Sequence, residues 1–218
     1  MAERLSRQEM GERIDSDPDY EGVIDPAFYQ ERAIFYGGLR IARRVGNIVK
    51  DSLPIKGAPS PHILDIAAGT GIVARHLSSL GYDIEATDAS QSFLAYLNEQ
   101  DPTIPTAVGD MNGRLPYGDG SFDGLVTSWA NRFITDVDHF TRSAHGLLKP
   151  DGFFFWPIAI AETHLWQKRA TTLIEFPNII DSLDRAGFEQ IESKKVPSEY
   201  KLLHPGSAIP EVVLVAKK

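Results

Sequence analysis

The chain has 218 residues, enough for one sizeable core, and a net charge of −8, with 22 Lys and Arg against 30 Asp and Glu. No long basic block occurs, so nucleic acid is not an expected partner, because neutralising phosphates takes clustered cations. The absence of cysteine excludes disulfides, thiolate nucleophiles and Cys-based zinc sites. With no apolar run of membrane-span length and no signal-peptide core, a cytoplasmic location is expected.

Residues 1–22 are polar and mixed in charge, broken by Ser16-Asp17-Pro18-Asp19, and read as an arm. Residues 23–52 read as a helical cap: Phe28, Tyr29, Ala33, Phe35, Tyr36, Leu39, Ile41, Ala42, Val45, Ile48 and Val49 recur at helical spacing. Gly37-Gly38 should divide the cap into two helices. The core domain is expected over 53–218, and its first nine residues carry three prolines.

The core opens on His62-Ile63-Leu64-Asp65-Ile66-Ala67-Ala68-Gly69-Thr70-Gly71, which reads as a buried strand running into a tight turn. Ile72, Val73 and Leu77 continue at helical spacing until Gly81. A second strand is expected over 82–88, and a helix capped by Ser90 over 91–100. A third strand over 103–108 ends at Gly109-Asp110, and a loop rich in Gly, Pro and Asp leads to a fourth over 122–129. Thr135 or Asp136 should cap a helix running to about 148. A fifth strand follows over 153–160, then helices over 164–173 and 177–187. The last two strands, over 188–200 and 211–216, have no helix between them and should pair as a hairpin. This alternation predicts an α/β fold: a doubly wound, seven-stranded, mostly parallel sheet with a C-terminal antiparallel hairpin.

Asp65, Asp88 and Asp110 end the first three strands at spacings of 23 and 22 residues, about one strand-helix unit each. They should share the rim of one crevice beyond the carboxyl ends of the strands. Two ligands compete for that crevice. Gly69-Thr70-Gly71-Ile72-Val73-Ala74 fits the dinucleotide fingerprint G-x-G-x-x-A, with Asp88 placed for a ribose diol, which would make an NAD(P)-dependent oxidoreductase. A pyrophosphate at that turn would face the Asp65 carboxylate. A cationic head suits the acids better: Asp65 by an ammonium, Asp88 on two ribose hydroxyls, Asp110 by the adenine amine, as S-adenosylmethionine offers.

The stretch from Ile63 to Gly71 resembles the first motif of class I S-adenosylmethionine-dependent methyltransferases. Asp88 matches the acid of the second motif and Gly109-Asp110-Met111 the third. Leu115-Pro116-Tyr117 through Phe122-Asp123 resembles "LPF…SFD", Leu147-Leu148-Lys149-Pro150-Asp151-Gly152 resembles "LKPGG", and Ala186-Gly187-Phe188 resembles "AGF". The likeness spans about 60–216 and is nearest to the small-molecule branch that includes ubiquinone/menaquinone-type enzymes. Ala67 stands where the family has its first glycine, a small change expected to be tolerated, and Asp151 replaces a glycine of the later turn.

The resemblance implies S-adenosylmethionine as cofactor. It would be held by Asp65, Ala67, Gly69, Thr70, Gly71, Asp88, Ala89, Asp110, Met111, Ser128 and Trp129, with Tyr29 and Tyr36 of the cap folded over it. The implied activity is methyl transfer to a small-molecule acceptor by in-line displacement. A non-catalytic module that binds the cofactor or its product is the alternative within the same fold. The signature "[ND]PP[YF]" of amino-methyltransferases acting on DNA adenine or glutamine is absent. Displacement from a sulfonium needs alignment more than acid-base help. Two residues are the candidates for a direct part: Trp129, whose ring face could sit by the sulfonium, and His164, which follows the fifth strand and could act as a base. Asn131 and Arg132 are candidates for the lip of the acceptor pocket or for a solvated surface pair; Trp156 and Trp166 are candidates for its wall, with a core position the alternative for Trp156, which lies within a strand. The six histidines are not spaced as metal ligands. The sequence carries no indication of oligomeric state.

Overall fold

The computed structural model describes residues 25–35, 38–158, 176–195 and 212–218. Two cap helices come first, α1 (Pro26–Phe35) and α2 (Gly38–Ser52). The core follows as β1 (His62–Ile66), α3 (Ile72–Ser79), β2 (Asp83–Asp88), α4 (Gln91–Gln100), β3 (Thr106–Val108) and β4 (Phe122–Thr127). A short 3₁₀ turn (Asn131–Phe133) leads to α5 (Val137–Leu147), β5 (Leu148–Ile158), α6 (Phe176–Ala186), β6 (Glu189–Lys195) and β7 (Val212–Lys217).

The seven strands form one sheet in the order β3-β2-β1-β4-β5-β7-β6. β1 pairs in parallel with both β2 and β4, while β7 runs antiparallel to β5 and β6, which is the expected C-terminal hairpin. Strand order reverses between β1 and β4, the switch point at which doubly wound sheets bind ligands. Successive residues of β1 alternate between two cores. Leu64 and Ile66 face the side covered by Phe140, Ala144 and Leu147 of α5 and by Ile179 and Leu183 of α6. Ile63 faces the side covered by Val73 and Leu77 of α3. Ile41, Val45 and Val49 of α2 lie in that second core, so this cap helix is built into the hydrophobic interior of the domain.

Several boundaries differ from expectation. β3 has three residues, Thr106–Val108, instead of the six expected. Pro105 has no N–H to give to the ladder; its carbonyl accepts from Ala86 N–H at 3.0 Å just before pairing starts. β4 stops at Thr127 because Trp129 takes a left-handed backbone, φ 56. β5 starts at Leu148, directly after α5, and not at 153. Its register jumps from Phe122↔Leu148 to Gly124↔Phe153, so residues 149–152 bulge from the ladder, with Asp151 at φ 64 where the family has glycine. α5 is capped by Asp136, whose carboxylate accepts from His139 N–H at 2.9 Å. The arm over 1–22 and the helix expected over 164–173 lie outside the described residues.

Candidate cofactor site

The turn after β1 takes its shape from three left-handed residues, Ala67 (φ 57), Gly69 (φ 55) and Gly71 (φ 77). Gly71 is the N-cap of α3, and a Cβ there would lie 2.3 Å from Leu97 Cδ1, so only glycine satisfies both backbone and space. At Ala67 the methyl group fits, but the conformation costs about 1–2 kcal/mol for a residue with a Cβ. The departure from the family's glycine is therefore sterically tolerated and backbone-strained. Hydrogen bonds tie the turn to the end of β2: Ala68 N–H donates to Thr87 O at 3.0 Å, and Gly69 N–H to Asp88 Oδ2 at 2.8 Å.

Asp65 ends β1 beneath this turn and is 1% exposed. Its Oδ1 has no hydrogen-bond partner among the described residues. Burial raises its pKa from 3.8 to about 8; the Ala74 backbone amide works against that rise and the Asp88 charge adds to it. Across the switch point, the buried Ser128 Oγ also lacks a partner. Trp129 follows it at φ 56, a conformation that costs a bulky side chain about 1–3 kcal/mol and persists where the surroundings impose it.

α1 closes the third side. Thr70 Oγ1 donates a short, buried hydrogen bond to Gln30 Oε1. The Tyr29 ring packs on Phe93 of α4 with centroids 4.8 Å apart, and Tyr29 Cε1 would lie 3.6 Å from a Cβ on Gly69. These elements surround a cleft with Asp65, Gly69, Thr70, Ser128, Trp129 and Tyr29 among its walls.

The expected residues thus divide. Asp65, Ala67, Gly69, Thr70, Ser128, Trp129 and Tyr29 line one cleft. Gly71 shapes the turn from beneath. Asp88 is held by Gly69 N–H and by Ser90 N–H at 2.8 Å, which leaves lone pairs on both carboxylate oxygens for further donors. Asp110 is exposed, and its Oδ1 accepts from Asn112 N–H at 2.9 Å. Met111 packs into the core beside Leu115 and does not wall the cleft; Ala89 is exposed and does not wall it either. Tyr36, His164 and Trp166 lie outside the described residues. Trp156 is fully buried and is no pocket wall; its Nε1–H donates to Asn131 Oδ1 at 3.0 Å. Two residues of the site escaped the sequence reading, Gln30 and Asn112. Gln30 sits beside Tyr29 in a run read for its apolar spacing, and Asn112 opens what reads as an ordinary polar loop. Among the described residues no group of His, Cys, Asp and Glu could hold a metal ion.

A buried, unpartnered carboxyl oxygen, a glycine turn and an acid at the end of β2 meet at the switch point. Residues 64–156 match the family model described as a methyltransferase domain. Over that stretch the chain is similar to class I S-adenosylmethionine-dependent methyltransferases. It is 35% identical over 129 residues to a demethylmenaquinone methyltransferase of Beutenbergia cavernae, covering 56% of this chain and 51% of that one. It is also 33% identical over 119 residues to the mitochondrial arginine-hydroxylase NDUFAF5 of Rattus norvegicus, covering 54% of this chain and 32% of that one. Among solved structures, a Haemonchus contortus Phospholethanolamine N-methyltransferase 2 in complex with phosphomonomethylethanolamine and S-adenosylhomocysteine superimposes with a TM-score of 0.67. It is 19% identical and covers 93% of this chain and 49% of that one, a likeness of fold. The chain spans about half the length of the first curated relatives it matches. These matches favour the methyltransferase reading of the glycine turn over the dinucleotide one.

Proposed function

We infer that the chain binds S-adenosylmethionine in this cleft and that its methyl group goes to a small, largely apolar organic acceptor. The observation that carries the reading is Asp65 Oδ1, buried without a partner beneath the glycine turn. An α-ammonium would supply the missing donors and the missing positive charge. Asp88 is placed to accept from ribose hydroxyls while keeping its bonds to the turn, and the Trp129 ring offers a face to a sulfonium. When bound, S-adenosylmethionine supplies an activated methyl group, so the task left to the chain is alignment and exclusion of water. Ser128, Trp129 and Tyr29 serve that task from three elements. Asp110 and Met111 then bear on the adenine end through their loop, Tyr36 is proposed to fold over the cofactor with the cap, and His164 is proposed as a base on the acceptor side.

Ile34, next to the cleft-lining Ala33 on α1, is 40% exposed, and Phe133, in the turn after Trp129, is 49% exposed. Exposed apolar side chains on elements that carry the cleft wall suit an apolar acceptor. The relatives named for demethylmenaquinone act on such a molecule, and a quinol is the first acceptor to try. No helix among the described residues is long and apolar enough to cross a membrane. The net charge of −8 speaks against a nucleic-acid acceptor, and the lack of cysteine fits a cytoplasmic setting.

The test is calorimetric titration with S-adenosylhomocysteine and with NADH, followed by transfer of labelled methyl to quinols and other aromatic acceptors. Binding of the former with methyl transfer is expected; preference for NADH would overturn the reading. The arginine-hydroxylase relative supports a second reading, a methyltransferase-type fold used for another reaction. Cofactor binding with no methyl transfer to any acceptor would favour it.

A further inference from the structure

Trp129 and Ser128 stand on the turn after β4, and that turn does not hold its shape by glycine. It is bracketed by side chains from two other elements. On the β5 side, the fully buried Trp156 donates its Nε1–H to Asn131 Oδ1 at 3.0 Å. On the β3 side, Asn112 uses both ends of its amide. Its Oδ1 accepts from Thr135 N–H at 2.8 Å and from Thr135 Oγ1–H at 3.1 Å. Its Nδ2 donates to Phe133 O at 2.9 Å and to Asp110 Oδ1 at 3.2 Å. The turn itself adds Phe133 N–H to Ala130 O at 2.8 Å. The segment from Asn131 to Thr135 is thereby fixed at both ends, immediately after the residue forced to φ 56.

We propose that Asn131, held by Trp156, and Asn112 are positioning residues of the cofactor cleft, and that they act on different halves of the ligand. The Trp156–Asn131 bond sets Ser128 and Trp129, which belong to the amino-acid and sulfur end. Asn112 links that lip to Asp110, the residue assigned to the adenine end, and so couples the two halves. The inference rests on the cofactor reading given above. Neither pair is adjacent in sequence, and neither side chain needs to touch the ligand to act. An indole N–H that lost Asn131 would be buried and unsatisfied, so the turn would shift to find it another acceptor.

The experiment measures the affinity of the full chain for two probes, S-adenosylhomocysteine, which fills both halves, and adenosine, which fills one. Trp156→Phe, which keeps the buried ring and deletes the donor, and Asn131→Ala should each weaken S-adenosylhomocysteine by about tenfold and adenosine by less than about twofold. The double variant should lose no more than either single one, because both remove the same bond. Asn131→Asp keeps the acceptor and should recover the affinity to within about threefold. Asn112→Ala should weaken both probes by about tenfold. Unchanged S-adenosylhomocysteine affinity in Asn131→Ala would overturn the proposal, as would equal losses for both probes, which would mark general loosening. If Trp156→Phe does not fold, Asn131→Ala against Asn131→Asp decides. Wild-type protein that binds neither probe would overturn the cofactor reading itself and this inference with it.

Discussion

Two turns meet across the cleft, and they solve the same problem differently. The turn after β1 reaches its left-handed backbone largely through Gly69 and Gly71, and its hydrogen bonds run to the next strand. The turn after β4 puts a tryptophan at φ 56 and holds it with side chains from β5 and from the loop after β3. The first is a largely local solution: glycines within the turn set its backbone, and main-chain amides of the turn tie it to the end of β2. The second is a tertiary one, carried by side-chain bonds that span 21 to 25 positions. Local solutions tolerate few substitutions at the turn and many elsewhere; tertiary ones spread their sensitivity over the partners.

That difference can be broken experimentally, starting where the effect is largest. Gly71→Ala should destabilise the protein by about 2–4 kcal/mol, because its Cβ would overlap Leu97 and its φ of 77 disfavours alanine. A fall of several degrees in Tm checks it; an unchanged Tm would mean that the turn is not governed locally. Next comes the buried acid below the same turn. The folded pKa of Asp65, about 8, lies above its unfolded value near 3.8, so between these values the folded ligand-free protein holds a proton that the unfolded chain has lost. The stability that Asp65 contributes is then full below pH 3.8 and is lost as pH rises to about 8, at up to about 1.4 kcal/mol per pH unit. Denaturation curves from pH 5 to 7 should show that decline in wild type and not in Asp65→Asn.

Asp88→Ala removes the acceptor of Gly69 and Ser90 amides and the proposed ribose acceptor together. S-adenosylhomocysteine affinity should fall by about tenfold or more, measured by calorimetry. The smallest change is expected at Ala67→Gly. Relief of the left-handed strain is offset by the extra entropy of glycine in the unfolded chain, so stability should move by less than about 1 kcal/mol.

Legibility followed the same division. The order of strands and helices, the glycine turn and the three acids at strand ends could be read from sequence, because each depends on short-range spacing. β3 came out shorter than its apolar run suggested, because Pro105 breaks the ladder regardless of hydrophobicity. β5 came out longer, because Leu148 pairs with Phe122 before the bulge at 149–152. Trp156 read as either a pocket wall or a core residue of its strand, and it is a buried core donor. Aromatic composition cannot distinguish those fates, since its partner Asn131 is 25 residues away and becomes a neighbour only in the folded sheet. Gln30 and Asn112 were illegible for the same reason. The sequence reading expects a ribose acceptor at Asp88; its bond to the Gly69 amide, which makes it part of the turn, appears only in three dimensions.

The account stands on Asp65 as the anionic partner of a cationic amino-acid head. The most direct measurement is S-adenosylhomocysteine affinity and proton release from pH 6 to 8, in wild type and in Asp65→Asn. Because the free carboxyl holds its proton up to about pH 8 and must lose it to pair with an ammonium, wild-type affinity should rise by up to about tenfold per pH unit, with release of up to one proton. Asp65→Asn should bind weakly and without that slope. Wild-type affinity that is independent of pH and releases no proton, matched by Asp65→Asn, would contradict the assignment.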